Sequence, residues 1–346
     1  MSGSRAPFPN TVIFGGAGFI GLHLTRHLIA RELAERVWLV DLRAPELNAF
    51  PQAVRDVAGS DRVRIVTADV RRPLEAPGLP ERAHLAVNLA AVHREPGHAP
   101  HEYYETNLAG AENVCAWAER VDCPRVAFTS SIAIYGPGGG AKHEGTVPVP
   151  ETPYGGSKLA AEHIHRAWQR AGAGRRLLIV RPGVIYGPGE GGNVTRLVRA
   201  VLGRYFAYTG NRGVRKAGGY VKELCNALTW GLQRLEETPQ GVSLFNFSMD
   251  PPPSVAEYVE AICRVAGVRR RVPTLPFGLL LAAAYALEAL ARPVGLRQPV
   301  SPVRVRKLVR STEIEPRALR SAGYPWVFTL EQALADWQAD WPHDWR

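Results

Sequence analysis

Two groups of residues in this chain are spaced to do chemistry together. The first is Tyr154-Gly155-Gly156-Ser157-Lys158, with Ser131 about two dozen residues upstream. A tyrosine and a lysine four residues apart share one face of a helix. An ordinary phenol titrates near ~10 and is a poor base at neutral pH, so it needs a neighbouring cation to lower that value. Lys158 is expected to supply it, while Ser131 holds a substrate oxygen and Tyr154 takes or returns that oxygen's proton. Lysine is scarce in this chain. Among 42 basic residues the only lysines are Lys142, Lys158, Lys216, Lys222 and Lys307, which points to a need at position 158 for a compact ammonium.

The second group is Gly15, Gly18 and Gly21 in TVIFGGAGFIG, a G-x-x-G-x-x-G pattern set between a strand and a helix, with Phe19 and Ile20 in its turn. Glycines here permit a tight turn and let backbone approach a pyrophosphate, and the helix start offers free N–H groups and the positive end of its dipole. Twenty residues beyond Gly21, Asp41 is placed to accept hydrogen bonds from an adenosine ribose, which favours NAD over NADP. Arg43 close by is the competing signal, since it can pair with a 2′-phosphate. Asp69 and Val70 follow the third strand, where the aspartate either meets the adenine or caps its own turn. Leu89, Ala90 and Ala91 close the fourth strand with small residues against which a dinucleotide can lie. Together the two groups predict hydride exchange between a nicotinamide and a hydroxyl-bearing substrate.

Such residues need a frame. Short Val/Ile/Leu runs at 11–14, 37–40, 63–67, 85–89, 126–130 and 177–180 are apolar without alternation, as strands buried on both faces of a parallel sheet are. Amphipathic stretches at 18–33, 102–121 and 157–171 fall between them. The expected fold class is α/β, a Rossmann-type doubly wound parallel sheet with a smaller, mainly helical C-terminal substrate lobe. The boundary is set at 1–182 and 183–346, with some later segments returning to the first domain. Helices are expected near 193–202, 222–235, 254–266 and 330–340, and Leu244–Phe247 reads as an isolated strand.

Bulk properties exclude other classes. Hydrophobic residues make up 46% and charged residues 21% of 346 residues, ordinary for a globular chain. The net charge of +10 is spread along the chain with no basic stripe, so no nucleic-acid partner is expected. Cys115, Cys123, Cys225 and Cys263 lack C-x-x-C spacing, and no signal-like segment precedes the first strand, so reduced thiols in a cytoplasmic protein are expected. The apolar stretch Pro276–Ala291 is shorter than the ~20 residues of a span and contains Glu288. It reads as a packed helix, with monotopic membrane contact as the alternative. His93, His98 and His101 match no common zinc-ligand spacing, and no metal is expected. A loop bordering the nicotinamide and the substrate is the alternative for His93.

Residues 11 to 181 resemble the extended short-chain dehydrogenase/reductase family, in its branch of nucleotide-sugar epimerases and dehydratases. GGAGFIG, NLAA, ETNLAG, FTSSIAIYG, YGGSK and RPGVIYGPG fall in that family's order. The resemblance implies that Ser131, Tyr154 and Lys158 are catalytic. It implies cofactor contacts reaching Pro182, with Asn107 ordering the helix beneath the site and Tyr135 and Gly136 shaping the substrate wall. For the substrate it implies Asn193 as a diphosphate contact, whose bland alternative is an ordinary helix cap, and Lys216 where relatives carry an arginine. A homodimer paired through the helix at 157–171 is implied as well. The family's 4,6-dehydratases place an acidic pair directly after the serine, but here Ile132 and Ala133 stand there, so that elimination lacks its acid. An NAD-dependent nucleotide-sugar epimerase acting at C4 is therefore the expected function. A 4-keto-sugar reductase, a hydroxysteroid-type dehydrogenase and a non-catalytic dinucleotide sensor are the alternatives.

Overall fold

The computed structural model describes residues 6–95, 97–291, 302, 305–306 and 309–346. Its centre is a seven-stranded sheet made from β1 (Asn10–Phe14), β2 (Arg36–Asp41), β3 (Val63–Thr67), β4 (Leu85–Asn88), β5 (Arg125–Thr129), β6 (Arg176–Pro182) and, after β7 (Val184–Tyr186), β8 (Tyr208–Thr209) and β9 (Gly218–Tyr220), a late strand β10 (Val242–Phe247). The order is β3-β2-β1-β4-β5-β6-β10, and every pairing is parallel. Strand order reverses between β1 and β4, so the carboxyl ends of those two strands open the crevice where such sheets take ligands.

The unbroken apolar runs serve two cores. Ile13, Leu39 and Val87 enter one with Leu22, Leu24 and Leu28 of α1 (Phe19–Ala30), while Val12, Phe14, Val40 and Ala86 enter the other. The first core also takes Val54 of α2 (Gln52–Ala58) and Leu224, Leu228 and Leu232 of α6 (Val221–Arg234). The second takes Val114 and Trp117 of α3 (Pro100–Arg120) and Ala161 and Trp168 of α4 (Pro153–Arg170).

A third core belongs to the C-terminal lobe. It joins Val198 of α5 (Asn193–Leu202), Ile262 of α7 (Val255–Val265) and, following β11 (Thr274–Leu275), α8 (Phe277–Ala291) and α9 (Arg317–Ser321), Trp337 of α10 (Leu330–Asp340). Capping boxes start α7 at Ser254/Glu257 and α10 at Thr329/Gln332, each satisfying two otherwise orphaned donors. The buried Glu223 carboxylate of α6 accepts the Tyr324 hydroxyl and the N–H groups of Val327 and Phe328, pinning the C-terminal segment onto α6.

One expectation is corrected. Leu244–Phe247 is not isolated, because β10 pairs along its whole length with β6, Val242 opposite Leu177 through Phe247 opposite Pro182. Its partner lies across residues 183–241, beyond the reach of a reading built on neighbouring βαβ units.

Candidate active site

The glycine turn forms as its residues require. Gly15 has φ of 75°, and a Cβ there would stand 2.6 Å from the Ala90 nitrogen, so a side chain is excluded by both strain and contact. Gly15 N–H donates to the Val40 carbonyl at 2.8 Å and Leu89 N–H to Phe14 at 2.8 Å, which draws the β1, β2 and β4 exits together. Gly18 caps α1 without any side-chain cap, so the first-turn N–H groups, those of Phe19 and Ile20 among them, are left to solvent or a ligand. Gly21 lies buried inside α1.

Asp41 ends β2 beside this turn. Its Oδ2 accepts the Ala17 N–H at 3.1 Å and its Oδ1 the Leu42 N–H at 2.8 Å, and the Arg43 N–H also bonds the carboxylate, leaving about one of its four acceptor sites open. Burial raises its pKa against those hydrogen bonds and the Arg43 charge, and Arg43 itself is exposed. Asp69 is engaged with its neighbour, accepting Arg71's backbone N–H at 3.0 Å and its guanidinium at 2.7 Å, the turn-capping arrangement. Val70 is buried, Leu89, Ala90 and Ala91 are half-buried along the β4 exit, and Pro182 is buried at the β6 terminus.

The second group converges on the β5 exit. Ser131 follows β5 and caps the 3-10 turn Ile132–Tyr135, its Oγ accepting the Ala133 N–H at 3.1 Å. The Ser131 hydroxyl lies near enough to the Tyr154 hydroxyl to favour its ionised form. Thr152 caps α4 through the Gly155 N–H at 3.1 Å, with Pro153 as first helical residue. Gly155 is needed for this approach, since a Cβ there would stand 2.5 Å from the Ala133 oxygen. Asn107 ties the pieces together. Its Nδ2 donates to Ser157 Oγ at 2.8 Å and to the Val92 carbonyl at 3.2 Å, and its Oδ1 accepts the Val92 N–H at 2.9 Å. Ser157 in turn donates to the Tyr154 carbonyl at 2.9 Å. His93, exposed in the loop after β4, is held below its ordinary pKa by desolvation first, with the Lys158 charge among the further causes.

Lys158 differs from its expected role. Its Nζ donates to the Thr129 carbonyl at 2.7 Å and sits 4.8 Å from the centre of the Phe128 ring. Burial lowers its pKa to about 7, opposed by Glu162. Burial raises the Tyr154 pKa, opposed by the Ser131 hydroxyl, so the phenol here is not made acidic by the ammonium. A buried ammonium takes the nearest carbonyl, and one helical turn of separation does not by itself aim it at the hydroxyl.

Other expectations fare unevenly. Tyr135 does not face a substrate. It is 2% exposed, its hydroxyl donating to Asn246 Oδ1 at 2.7 Å and accepting from Arg181 at 2.9 Å. Asn193 is the first residue of α5, exposed and bonded to Arg196, and Glu190 takes the Thr195 N–H at 2.9 Å. An acidic side chain thus already occupies that helix start. Lys216 is half-buried, donates to the Arg310 carbonyl at 2.7 Å and has its pKa lowered by burial to about 8. His98 pairs with Glu102 at 2.5 Å and His101 is exposed on α3, so the three histidines do not converge.

Residues the sequence reading passed over are Thr129, Ser157, Glu162 and Arg181. Glu162 lies four residues after Lys158, a usable signal, and pairs with Arg181 through two hydrogen bonds of 2.8 and 2.7 Å.

The profile of the NAD dependent epimerase/dehydratase family matches residues 11–246. The chain is similar to N-acetyl-alpha-D-glucosaminyl-diphospho-ditrans,octacis-undecaprenol 4-epimerase of Escherichia coli O157:H7, 27% identical over 331 residues, covering 94% of this chain and 93% of that one. It is similar to UDP-glucose 4-epimerase 3 of Oryza sativa subsp. japonica, 29% identical over 196 residues, covering 52% of this chain and 50% of that one. Among solved structures it shares the fold of UDP-glucuronic acid 4-epimerase from Bacillus cereus in complex with NAD, with a TM-score of 0.70 and 16% identity over 97% of this chain and 100% of that one. The match runs through the glycine turn, the serine and the tyrosine–lysine helix and spans well over half of the sequence, and the chain belongs to the NAD dependent epimerase/dehydratase family.

Proposed function

We propose that this protein is an NAD-dependent 4-epimerase of a sugar carried on a diphosphate. The observation that carries the reading is the approach of the Ser131 and Tyr154 hydroxyls at the β5 exit, at the same end of the sheet as the glycine turn. The residues fit NAD. The Gly15 turn and the uncapped start of α1 suit a pyrophosphate, Asp41 has acceptor capacity for ribose hydroxyls, and the Lys158 ammonium has donors beyond the one given to Thr129. When bound, NAD supplies the acceptor and donor of the C4 hydride.

Ser131 holds the C4 oxygen. Tyr154 takes the hydroxyl proton as hydride leaves that carbon and gives it back as hydride returns to the opposite face, so the sugar ends neither oxidised nor reduced. Lys158, one helical turn away and bonded to the Thr129 carbonyl, does not lower the Tyr154 pKa and keeps its remaining donors for a ligand. Ile132 and Ala133 offer no acid for elimination.

The carrier is a nucleoside diphosphate in the reading drawn from sequence. A specific observation favours a second, a polyprenyl diphosphate. The relative named for a polyprenol-linked sugar aligns over both domains, whereas the UDP-glucose epimerase aligns over about half of the chain.

The test is product analysis with UDP-sugars and polyprenyl-diphosphate sugars in the presence of NAD. C4 inversion without net NADH change is expected, with Tyr154→Phe about 10²–10⁴-fold slower. Stoichiometric NADH formation with a keto-sugar product instead makes the protein a dehydrogenase, and stoichiometric oxidation of added NADH with a keto-sugar substrate makes it a reductase. NAD binding with no turnover of any sugar makes it a sensor.

A further inference from the structure

Helix α8 has two faces and both are apolar. Phe277, Leu280, Leu281 and Ala284, spaced three and four apart, turn inward, although only Ala284 among them is fully buried. The outer face presents Leu279, Ala282, Ala283, Tyr285, Ala286 and Leu287, with Leu279 65% and Leu287 43% exposed. A helix lying on a water-faced surface normally turns charged residues outward. Between Phe277 and Glu288 the only charge is Glu288 itself. The helix has 15 residues, about 22 Å at 1.5 Å per residue, short of the ~30 Å of a bilayer core. Among the described residues no helix is long and apolar enough to cross a membrane. Its dimensions suit lying in an interface.

A cationic hollow stands at the foot of this helix. β11, which leads into α8 through Pro276, pairs with β8, and Gly210 lies against Phe277. Arg212 donates to the Thr274 hydroxyl at 2.9 Å and stacks 4.9 Å over the Tyr208 ring. Beside it a hollow of about 560 Å³ is lined by Arg212, Arg264, Arg270 and Arg271, with Glu260 as the one acidic residue. One terminal nitrogen of Arg270 is buried with no hydrogen-bond partner. On the helix itself, Arg306 reaches the Tyr285 hydroxyl at 2.5 Å.

We propose that α8 and this arginine hollow form a docking surface for an anionic phospholipid bilayer. The exposed apolar face enters the acyl-chain boundary and the guanidiniums meet headgroup phosphates, the pairing by which interfacial helices bind. The net charge of +10 favours the same partner. Downstream of α8 in sequence, Thr312 bridges to Lys216, the Arg310 carbonyl accepts from the Lys216 amine, and Ile314 on the same strap bridges to Lys142. A sugar on a polyprenyl diphosphate would keep its chain in the bilayer while its ring enters the site. That consequence, unlike the docking itself, rests on the epimerase reading.

Co-sedimentation of the full chain with vesicles of phosphatidylcholine, with and without phosphatidylglycerol, tests the proposal. Binding is expected to the phosphatidylglycerol vesicles and to weaken with salt. Leu279→Glu/Leu287→Glu is expected to remove it, Arg270→Gln/Arg271→Gln to weaken it about fivefold per arginine, and Glu288→Lys to strengthen it. Failure of the native chain to bind either vesicle, or undiminished binding by the Leu279→Glu/Leu287→Glu variant, overturns the proposal. So does conversion of a dimer to a monomer by that variant, seen by light scattering without vesicle binding, which would make the face a contact between two copies. Vesicle binding is read without sugar or turnover. Failure of the native chain to bind vesicles while it epimerises sinks the docking alone, and absence of epimerisation leaves the docking standing.

Discussion

Lys158 and Arg181 both feel the charge of Glu162 and are 3% and 5% exposed, yet their surroundings serve them differently. Arg181 has a carboxylate in fork geometry, a phenol oxygen and the face of the Tyr135 ring 5.3 Å away. Burial works against its charge, but Glu162 outweighs that and raises its pKa. Lys158 has one carbonyl and one ring face, and burial drags it to about 7. A buried cation with its needs met is part of the scaffold. One left with spare donors at the mouth of a crevice is kept for something else, because the protein gives up stability to leave it so.

The largest expected effect breaks the paired side. Glu162→Ala leaves the Arg181 guanidinium buried alone and should cost about 3–5 kcal/mol in urea unfolding, whereas Glu162→Leu/Arg181→Met should cost far less. If the single variant unfolds like a surface substitution, Arg181 is no scaffold and the contrast fails. Next comes Tyr135→Phe, which strips one partner each from Arg181 and Asn246 and should cost about 1–3 kcal/mol. NAD-induced stabilisation should persist in Tyr135→Phe, since that hydroxyl is turned into the core. Finest is the pH dependence of the underserved side. Between about 7 and 10.5 the unfolded chain holds the Lys158 proton that the folded chain has released. That residue's contribution to stability therefore rises with pH across this window, by at most about 1.4 kcal/mol per unit for one proton. Lys158→Met should lose this component of the slope and also lose NAD-dependent stabilisation. An unchanged slope would mean that the ammonium is solvated in the folded protein.

What could be read from the sequence follows the span over which each feature is encoded. The glycine turn, the helix starting at Pro153 and the first six strands each sit within a dozen or so consecutive residues, and their backbone requirements show in residue type. Leu330–Asp340 was legible because apolar period and a capping box coincide there, and Asn193–Leu202 because its apolar period is strong and Gly203 ends it. The Glu162–Arg181–Tyr135–Asn246 network was not, since it joins α4, β6, the 3-10 turn and β10, and no local pattern says which buried charge meets which. The aim of the Lys158 amine was lost for a related reason, as helical spacing fixes a face and leaves open which acceptor on that face is nearest. Pro276–Ala291 was recognised as a helix, but only packing reveals how exposed its residues 278–288 are.

The late arrival of β10 sets the order in which this molecule can be completed. Its strand neighbour β6 is synthesised long before it, and the intervening residues 183–241 build much of the second lobe. Until that lobe has returned, β6 is an apolar edge with unpaired N–H and C=O groups, open to pairing with another chain. Closing so distant a parallel contact is slow. A fragment ending at Pro182 would keep that bare edge permanently, so the nucleotide-binding half is expected to aggregate when expressed without its companion.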